Sequence, residues 1–207
     1  RKVLPKHEDN LWEIDNDPSY DRVKRLIDVA VVLLLSPVWV PLSAMVAAAV
    51  LFDSPGPAFF GQSRVGRDGQ LFKLWKFRSM VHGLQAPGVH FAQAEDPRIT
   101  RVGRFLRRTR LDELPQLWNV IRGDMAIVGP RPVTRDELVT YYHFYADCYA
   151  SVRPGITGLW QVSGRSNLNY EQRVKLDMTY VHNVNWRMDT DIIMRTPLAV
   201  LASRGAC

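Results

Sequence analysis

Two adjacent carboxylates, Asp112 and Glu113, stand at the head of an apolar-periodic segment, LDELPQLWNVIRG, and Val-Gly-Pro-Arg-Pro follows at 128–132. An ionised carboxylate can attack phosphorus to give an acyl phosphate. Two carboxylates can also share Mg²⁺, a hard cation whose oxygen preference matches pyrophosphate substrates. Thr109 or Asp112 is the expected N-cap of this helix, with Pro115 in its first turn and Gly123 as its stop. At such an N-terminus the macrodipole keeps a carboxylate ionised and favours a phosphate beside it. The pattern alone leaves a plainer alternative open, in which Asp112 caps the helix and Glu113 is solvated.

Basic residues accompany the acids. Prolines on both sides of Arg131 restrict the backbone that presents its planar fork. Arg153 in RPGITG and Arg165 in SGRS repeat that setting, and the three together read as a diphosphate cradle, a solvated turn arginine being the alternative for each. Lys76 lies between Trp75 and Phe77 on an expected strand. Arg107, five residues before Asp112, is the site candidate within the basic amphipathic run ITRVGRFLRRTR, whose other arginines suit anionic headgroups or solvent. Asp177 interrupts an apolar neighbourhood in the expected helix YEQRVKLDMTYV and is a secondary site candidate. Asp189 and Asp191 form an Asp-x-Asp of the sugar-nucleotide type, for which a helix N-cap is the competing explanation.

The elements that must position these groups include a membrane-contacting one. Between Asp28 and Asp53 the chain carries no charge, about the ~20 apolar residues that a span requires. Basic residues flank the run on both sides (Arg22, Lys24 and Arg25 before it, Arg64 and Arg67 after it), so neither orientation satisfies the positive-inside rule. Ser36-Pro37 sits mid-run, where proline removes a backbone donor and kinks a helix. The Ser36 hydroxyl is expected to satisfy a freed carbonyl. These features predict a re-entrant helix-break-helix over about residues 22–52, both ends on one face; an ordinary kinked span is the alternative.

Breakers at Asp53–Pro57 end this element, and Asp68-Gly69 between two apolar runs predicts a hairpin. Residues 81–97 read as a loop, with His82 and His90 as surface residues lacking metal-ligand spacing. YYHFYADCY (141–149) reads as an aromatic helix shared between core and interface. The first 19 residues read as a linker or leader, and the opening Arg1 suggests a longer parent. Cys148 and Cys207 are the only cysteines, which argues against a disulfide framework. A net charge of +6 and 46% hydrophobic content exclude a disordered chain and suit an anionic partner: a lipid surface, a phosphorylated small molecule or nucleic acid.

In order along the chain, KRLIDV…SP, SPGPAFFGQSRVGRDG, FKLWKFRSM, RVGRFLRRTRLDELPQLWNVIRGDMAIVGPRP, VRPGITGLWQVSGR and LDMTYV closely resemble the bacterial sugar transferases that are monotopic phosphoglycosyl transferases. Residues 20–207 would be the catalytic domain, resembling that of the larger members. The resemblance implies a mainly α fold with a small β-hairpin (α+β), a re-entrant membrane helix broken at Ser36-Pro37, and amphipathic interfacial helices. It implies transfer of a sugar 1-phosphate from a UDP-sugar donor to polyprenol (undecaprenyl) phosphate, initiating capsule, O-antigen or exopolysaccharide synthesis at the cytoplasmic face of the bacterial inner membrane. Asp112 would be the nucleophile, forming a phosphosugar-aspartyl intermediate with release of UMP, and a ligand of Mg²⁺. Glu113 would assist acceptor activation or metal positioning. Lys76, Arg107, Arg131, Arg165 and Asp177 would bind phosphate, sugar or nucleotide. Membrane lipids are implied partners and nucleic acid is not; a homo-oligomer is left open, as is the sugar. A glycosyltransferase using Asp189 and Asp191, or a non-catalytic basic membrane-binding module, would be the readings in other classes.

Overall fold

The computed structural model describes residues 18–83, 96–164 and 168–201, with backbone alone at 201. Helix α1 (Pro18–Leu34) is followed after one residue by α2 (Ser36–Asp53). Pro37 lacks the amide that would continue the ladder, and the helix breaks at Leu35–Ser36. The Trp39 indole N–H donates to the Val32 carbonyl across the break at 2.9 Å, the kind of role expected of the Ser36 hydroxyl. Helix α2 is long and apolar enough to cross a membrane and is mostly exposed, as are Leu33, Leu34, Leu35 and Val38 around the break.

Both arms are fastened to the same body. On α1, Arg25 donates to the carbonyls of Val120 and Ile121, the latter at 2.8 Å. Lys24 pairs with Asp189 at 2.5 Å. At the far end of α2, the Arg78 guanidinium donates to the carbonyls of Val50 (3.2 Å), Ser54 (2.6 Å) and Pro55. They span the last turn of α2 and the two residues that follow it. Val32 of α1 packs with Leu74, and Val46 and Val50 of α2 pack with Phe77.

Leu74 and Phe77 belong to an antiparallel hairpin, β1 (Phe59–Val65) and β2 (Leu71–Phe77), in the register Phe59↔Phe77 to Val65↔Leu71. Its turn holds Asp68 at φ 56° and Gly69 at φ 67°, the left-handed conformations that Asp-Gly accommodates. Helix α3 (Arg101–Thr109) is capped by Thr100, whose hydroxyl accepts from the Gly103 amide at 2.9 Å. It buries Gly103 and Leu106 and exposes Arg101, Arg104, Phe105 and Arg108, as its amphipathic pattern predicts.

After a 3₁₀ turn at Leu111–Glu113 come α4 (Gln116–Arg122), β3 (Ala126–Val128) and the single turn α5 (Arg135–Glu137). Then follow α6 (Ala146–Ala150), β4 (Gly155–Thr157), α7 (Leu159–Val162), α8 (Tyr170–His182) and α9 (Trp186–Leu201). The aromatic segment 141–149 is not one helix. It passes from a π turn through His143, at φ 40°, into a 3₁₀ turn and α6. The fold is mainly helical with the predicted hairpin. It also contains a pairing that periodicity did not reveal: β3 and β4 run parallel, Ala126↔Gly155 and Val128↔Thr157. The main core, with Val128, Leu138, Tyr149, Tyr180 and Ile192, lies between this pair and α6, α8 and α9.

Candidate active site

Asp112 and Glu113 lie on the 3₁₀ turn between α3 and α4, not within one continuous helix. Pro115 has no amide to return to Leu111, so Leu114 N–H takes that carbonyl at 3.3 Å and α4 begins one residue later. The expected cap assignments fail. Thr109 ends α3 with its hydroxyl donating back to Phe105 at 2.8 Å, and Arg110, at φ 60°, turns the chain between the two segments. Asp112 caps neither helix: it is 7% exposed, and its buried Oδ1 has no hydrogen-bond partner among the described residues. Gly123 does stop α4, at φ 93°.

The two acids occupy different electrostatic environments. Glu113 accepts from the Lys76 ammonium at 2.8 Å, with an Arg110 nitrogen at 3.7 Å. Burial opposes its charge, but Lys76 and Arg110 outweigh that and hold the carboxyl well below the usual range. Asp112 is pushed upward to about 6 by burial and by the neighbouring Glu113 charge; Lys76, Arg110 and Arg107 oppose the rise without cancelling it. One carboxylate is locked and the other keeps an oxygen free, which is the condition for an acid that must bind or attack something else.

Asn119, inside the LPQLWNVIRG segment but given no role there, ties together the elements on either side of this lock. Fully buried on α4, its side chain accepts from the Trp75 amide (3.1 Å) and donates to the Lys73 carbonyl (2.8 Å) and Asp124 (3.0 Å). It staples α4 to β2, which sets Lys76 opposite Glu113. Gly129 and Gly155 bring the opposite wall together: a Cβ on Gly129 would lie 2.4 Å from the Arg153 carbonyl oxygen, and one on Gly155 would lie 2.1 Å from the Gly129 nitrogen. Between these walls opens a cleft of about 970 Å³, open mouth included. Lys76, Arg110, Glu113, Arg64 and Arg131 line its charged part, and Gln116, Thr157, Trp160, Thr196 and Val200 its neutral part.

The family model described as bacterial sugar transferase matches residues 19–203. The chain belongs to that family. It is 43% identical to the undecaprenyl-phosphate galactose phosphotransferase of Salmonella typhimurium over 97% of this chain and 45% of that protein. It is 42% identical to the exopolysaccharide production protein ExoY of Sinorhizobium fredii, over 88% of this chain and 87% of that protein. A third relative, the UDP-glucose:undecaprenyl-phosphate glucose-1-phosphate transferase of Caulobacter vibrioides, is 41% identical over 91% of this chain and 73% of that protein. The chain thus spans less than half of the first relative and most of the other two.

Within this bacterial sugar transferase the candidate residues separate. Lys76, Glu113 and Arg131 share the cleft, with Asp112 beside it in the chain. Arg107 donates to the Ser79 hydroxyl at 2.8 Å and contributes its charge to the field at Asp112. Asp177 lines no part of the cleft. It is 1% exposed, accepts from the Tyr142 hydroxyl at 2.6 Å, and is pushed up to about 7 by burial, which the Tyr142 hydroxyl and Arg131 only partly offset. Arg165 falls outside the described residues, as does His90.

The three-arginine cradle is corrected at Arg153, which turns away to pair with Asp21 at 2.8 Å and to donate to the Gly123 carbonyl. Arg64 and Arg110 join Arg131 instead. Neither sits in a Gly/Pro frame, and only the strand alternation of β1 and the nearness of Arg110 to the acids could have suggested them. Asp189 is neither a metal-type ligand nor a cap. It is buried among Lys24, Tyr20 and Tyr180, while Asn185 accepts from the Met188 amide at the start of α9. Asp191 pairs with Arg195 in solvent at 3.1 Å. The Asp-x-Asp glycosyltransferase reading therefore has no site to stand on.

Proposed function

We propose that this chain transfers a sugar 1-phosphate from a UDP-sugar to undecaprenyl phosphate or a related polyprenol phosphate, through a covalent phosphosugar-aspartyl intermediate on Asp112. The observation that carries the reading is the asymmetry of the acid pair: Glu113 is held by Lys76, while Asp112 keeps a buried oxygen without a partner beside a basic cleft. In the first half-reaction an Asp112 oxygen forms a bond to the β-phosphorus, and the bond from that phosphorus to the bridging oxygen breaks. UMP leaves with the electron pair. In the second, an oxygen of the lipid phosphate attacks the same phosphorus, the bond to Asp112 breaks, and the free carboxylate returns. Lys76, Arg110, Arg64 and Arg131 neutralise the diphosphate and the charge that develops during attack. The Caulobacter vibrioides relative is named for a UDP-linked donor, and both it and the Salmonella typhimurium relative for an undecaprenyl-phosphate acceptor, which supports both substrates here.

Mg²⁺ fits the residues present. Mg²⁺ is usually held by one or two carboxylates together with substrate phosphates, and Asp112 offers an unpartnered hard oxygen. Asp112 would hold the ion together with substrate phosphate oxygens, and the ion's chemistry there would be to neutralise phosphate charge.

The membrane element is read as re-entrant, with the catalytic body on the cytoplasmic face of the bacterial inner membrane. Two fastenings support this: Arg25 and Lys24 tie α1 to the body, and Arg78 ties the far end of α2 to it. A straight run through both helices would carry the second fastening away from the first at about 1.5 Å per residue. With both arms on one side, the polyprenol phosphate meets the soluble donor at the membrane surface.

The test of the mechanism is incubation with UDP-sugar labelled in the sugar and in the β-phosphate, without acceptor. Both labels are expected on Asp112 with one equivalent of UMP released, and on lipid when polyprenol phosphate is added. Label mapped to any other residue sinks the scheme.

A further inference from the structure

Arg131 needs more than two prolines to be useful. Its guanidinium ends a long flexible side chain, and proline restricts only the backbone beneath it. What restrains the head group is Trp160. The Arg131 Cζ lies 4.9 Å from the centroid of the Trp160 ring, and the Arg173 Cζ lies 4.9 Å from the same centroid. Trp160 is 6% exposed, and its buried indole nitrogen has no hydrogen-bond partner among the described residues. The indole therefore gives no hydrogen bond there; its contacts with the cations run through the ring.

Behind Trp160 the contacts continue as a stack. Arg173 lies 5.3 Å from the Tyr170 ring, and Tyr170 stacks on Tyr141 at 3.7 Å with 17° between planes. The Tyr170 hydroxyl donates to Glu137 at 2.7 Å, and Glu137 pairs with Arg64 at 2.8 Å. One connected set thus reaches two of the basic groups in the cleft, Arg131 by way of the indole and Arg64 by way of Glu137. The backbones on either side are fixed as well. A Cβ on Gly158 would sit 2.1 Å from the Gly129 carbonyl oxygen, so the two glycines must touch. Arg131 lies two residues beyond one and Trp160 two residues beyond the other.

We propose that Trp160 is the positioning residue of the donor phosphate site: its ring holds the Arg131 guanidinium in place for the diphosphate, with Arg173 as the second cation on the same ring. The proposal rests on the reading that the cleft takes a nucleoside diphosphate sugar, and it adds a residue that touches no reacting atom. A guanidinium over a desolvated indole is held by the ring quadrupole, with Trp the strongest of the aromatic partners. Removing the ring leaves Arg131 charged and present but free to leave its position, so donor binding weakens while the chemistry on Asp112 is unaffected.

The experiment compares Trp160→Leu with Trp160→Phe in the full chain, assayed by UMP release. Trp160→Leu is expected to raise the donor KM by roughly 2- to 30-fold, the range from an exposed to a desolvated cation–π contact, with kcat held within about 2-fold. Trp160→Phe, which keeps a ring, is expected to recover most of that loss even where its melting temperature falls as far as that of the leucine variant. In a cycle with Arg131→Met, the two losses should be less than additive. Titration with UMP should change wild-type tryptophan fluorescence, and Trp160→Phe should remove that change. Equal donor KM values for the leucine and phenylalanine variants, or additive losses in the cycle, overturn the proposal. Where Trp160→Leu does not fold, the UMP titration decides, and a UMP-induced change that persists in Trp160→Phe overturns it. A wild type that turns over no UDP-sugar takes down the functional reading and this proposal together; an active wild type with an additive cycle takes down this proposal alone.

Discussion

Asp112→Asn should do two things at once: abolish transfer and stabilise the fold. The folded-state carboxyl sits at about 6 against an ordinary value of 3.8, with burial the largest cause and the Glu113 charge the next. Above both values the native state carries a charged group that would be easier to keep charged in the unfolded chain. At ~1.36 kcal/mol per unit, a rise from 3.8 to about 6 corresponds to ~3 kcal/mol. The amide brings donors that need partners of its own, so a net gain of ~1–3 kcal/mol is expected at pH 8, or about 2–10 °C in melting temperature.

The pH dependence separates this cause from ordinary repacking. Below the unfolded value both states are protonated and the burial penalty disappears. The advantage of the asparagine variant should therefore be full at pH 8, shrink as pH falls through about 6, and vanish near pH 4. The assay is thermal melting of both proteins in detergent with chelator present, so that no bound cation compensates the carboxylate, alongside UMP release from a UDP-sugar panel. An asparagine variant less stable than wild type at every pH, or a difference that does not change with pH, would refute the claim that Asp112 is held charged against burial. Transfer surviving above about 1% of wild type would refute its role as nucleophile.

Three further expectations follow from the buried charges and the broken helix. Asp177 is raised to about 7, so its contribution to stability is present at low pH and is lost as pH rises through about 7. Its loss has a ceiling of about 4 kcal/mol, and Asp177→Asn should flatten the melting profile between about pH 4 and 7. Lys24→Met leaves Asp189 buried with only tyrosine hydroxyls, which should cost about 3–5 kcal/mol in chemical denaturation, whereas Asp191→Ala should stay within ~0.5 kcal/mol and keep transfer. Cysteines placed singly at Arg22 and Ser63, with Cys207 replaced by serine, should label from the same side of sealed inner-membrane vesicles with an impermeant thiol reagent. Labelling from opposite sides would mean that the element spans.

What could be read from the sequence was whatever depends on neighbours along the chain. Pro37 breaks the membrane helix because a missing amide is a local fact, and Asp68-Gly69 makes a turn because two adjacent residues tolerate φ > 0. Local rules misplaced Asp112: proline in a first turn is harmless, but here Pro115 lies before the first turn of α4 and splits the segment. What depends on distant residues was hidden. Nothing beside Asn119 announces that its side chain will bond the backbone of β2, and nothing beside Arg153 announces Asp21, which lies 132 residues away. The parallel pairing of β3 with β4 involves three residues on each side, too few for a period to register. Asp189 shows the same limit in reverse, since an Asp-x-Asp that looks like a ligand set is consumed by Lys24 and two tyrosines.

These distant contacts also explain why two neighbouring acids can take different roles. Adjacent buried carboxylates repel, and one of them must carry the cost unless something breaks their equivalence. Asn119 breaks it, because by tying α4 to β2 it delivers Lys76 to Glu113 and leaves Asp112 without a cation in contact. Deleting that tie should therefore act on the pair before it acts on the fold. Asn119→Ala would free β2 to shift, loosen the Lys76–Glu113 bond and let the two acids compete for the same charges. Asn119 does not touch the cleft, so a loss of transfer in a variant that still folds and still reaches the membrane would mark the difference between Asp112 and Glu113 as a product of this staple.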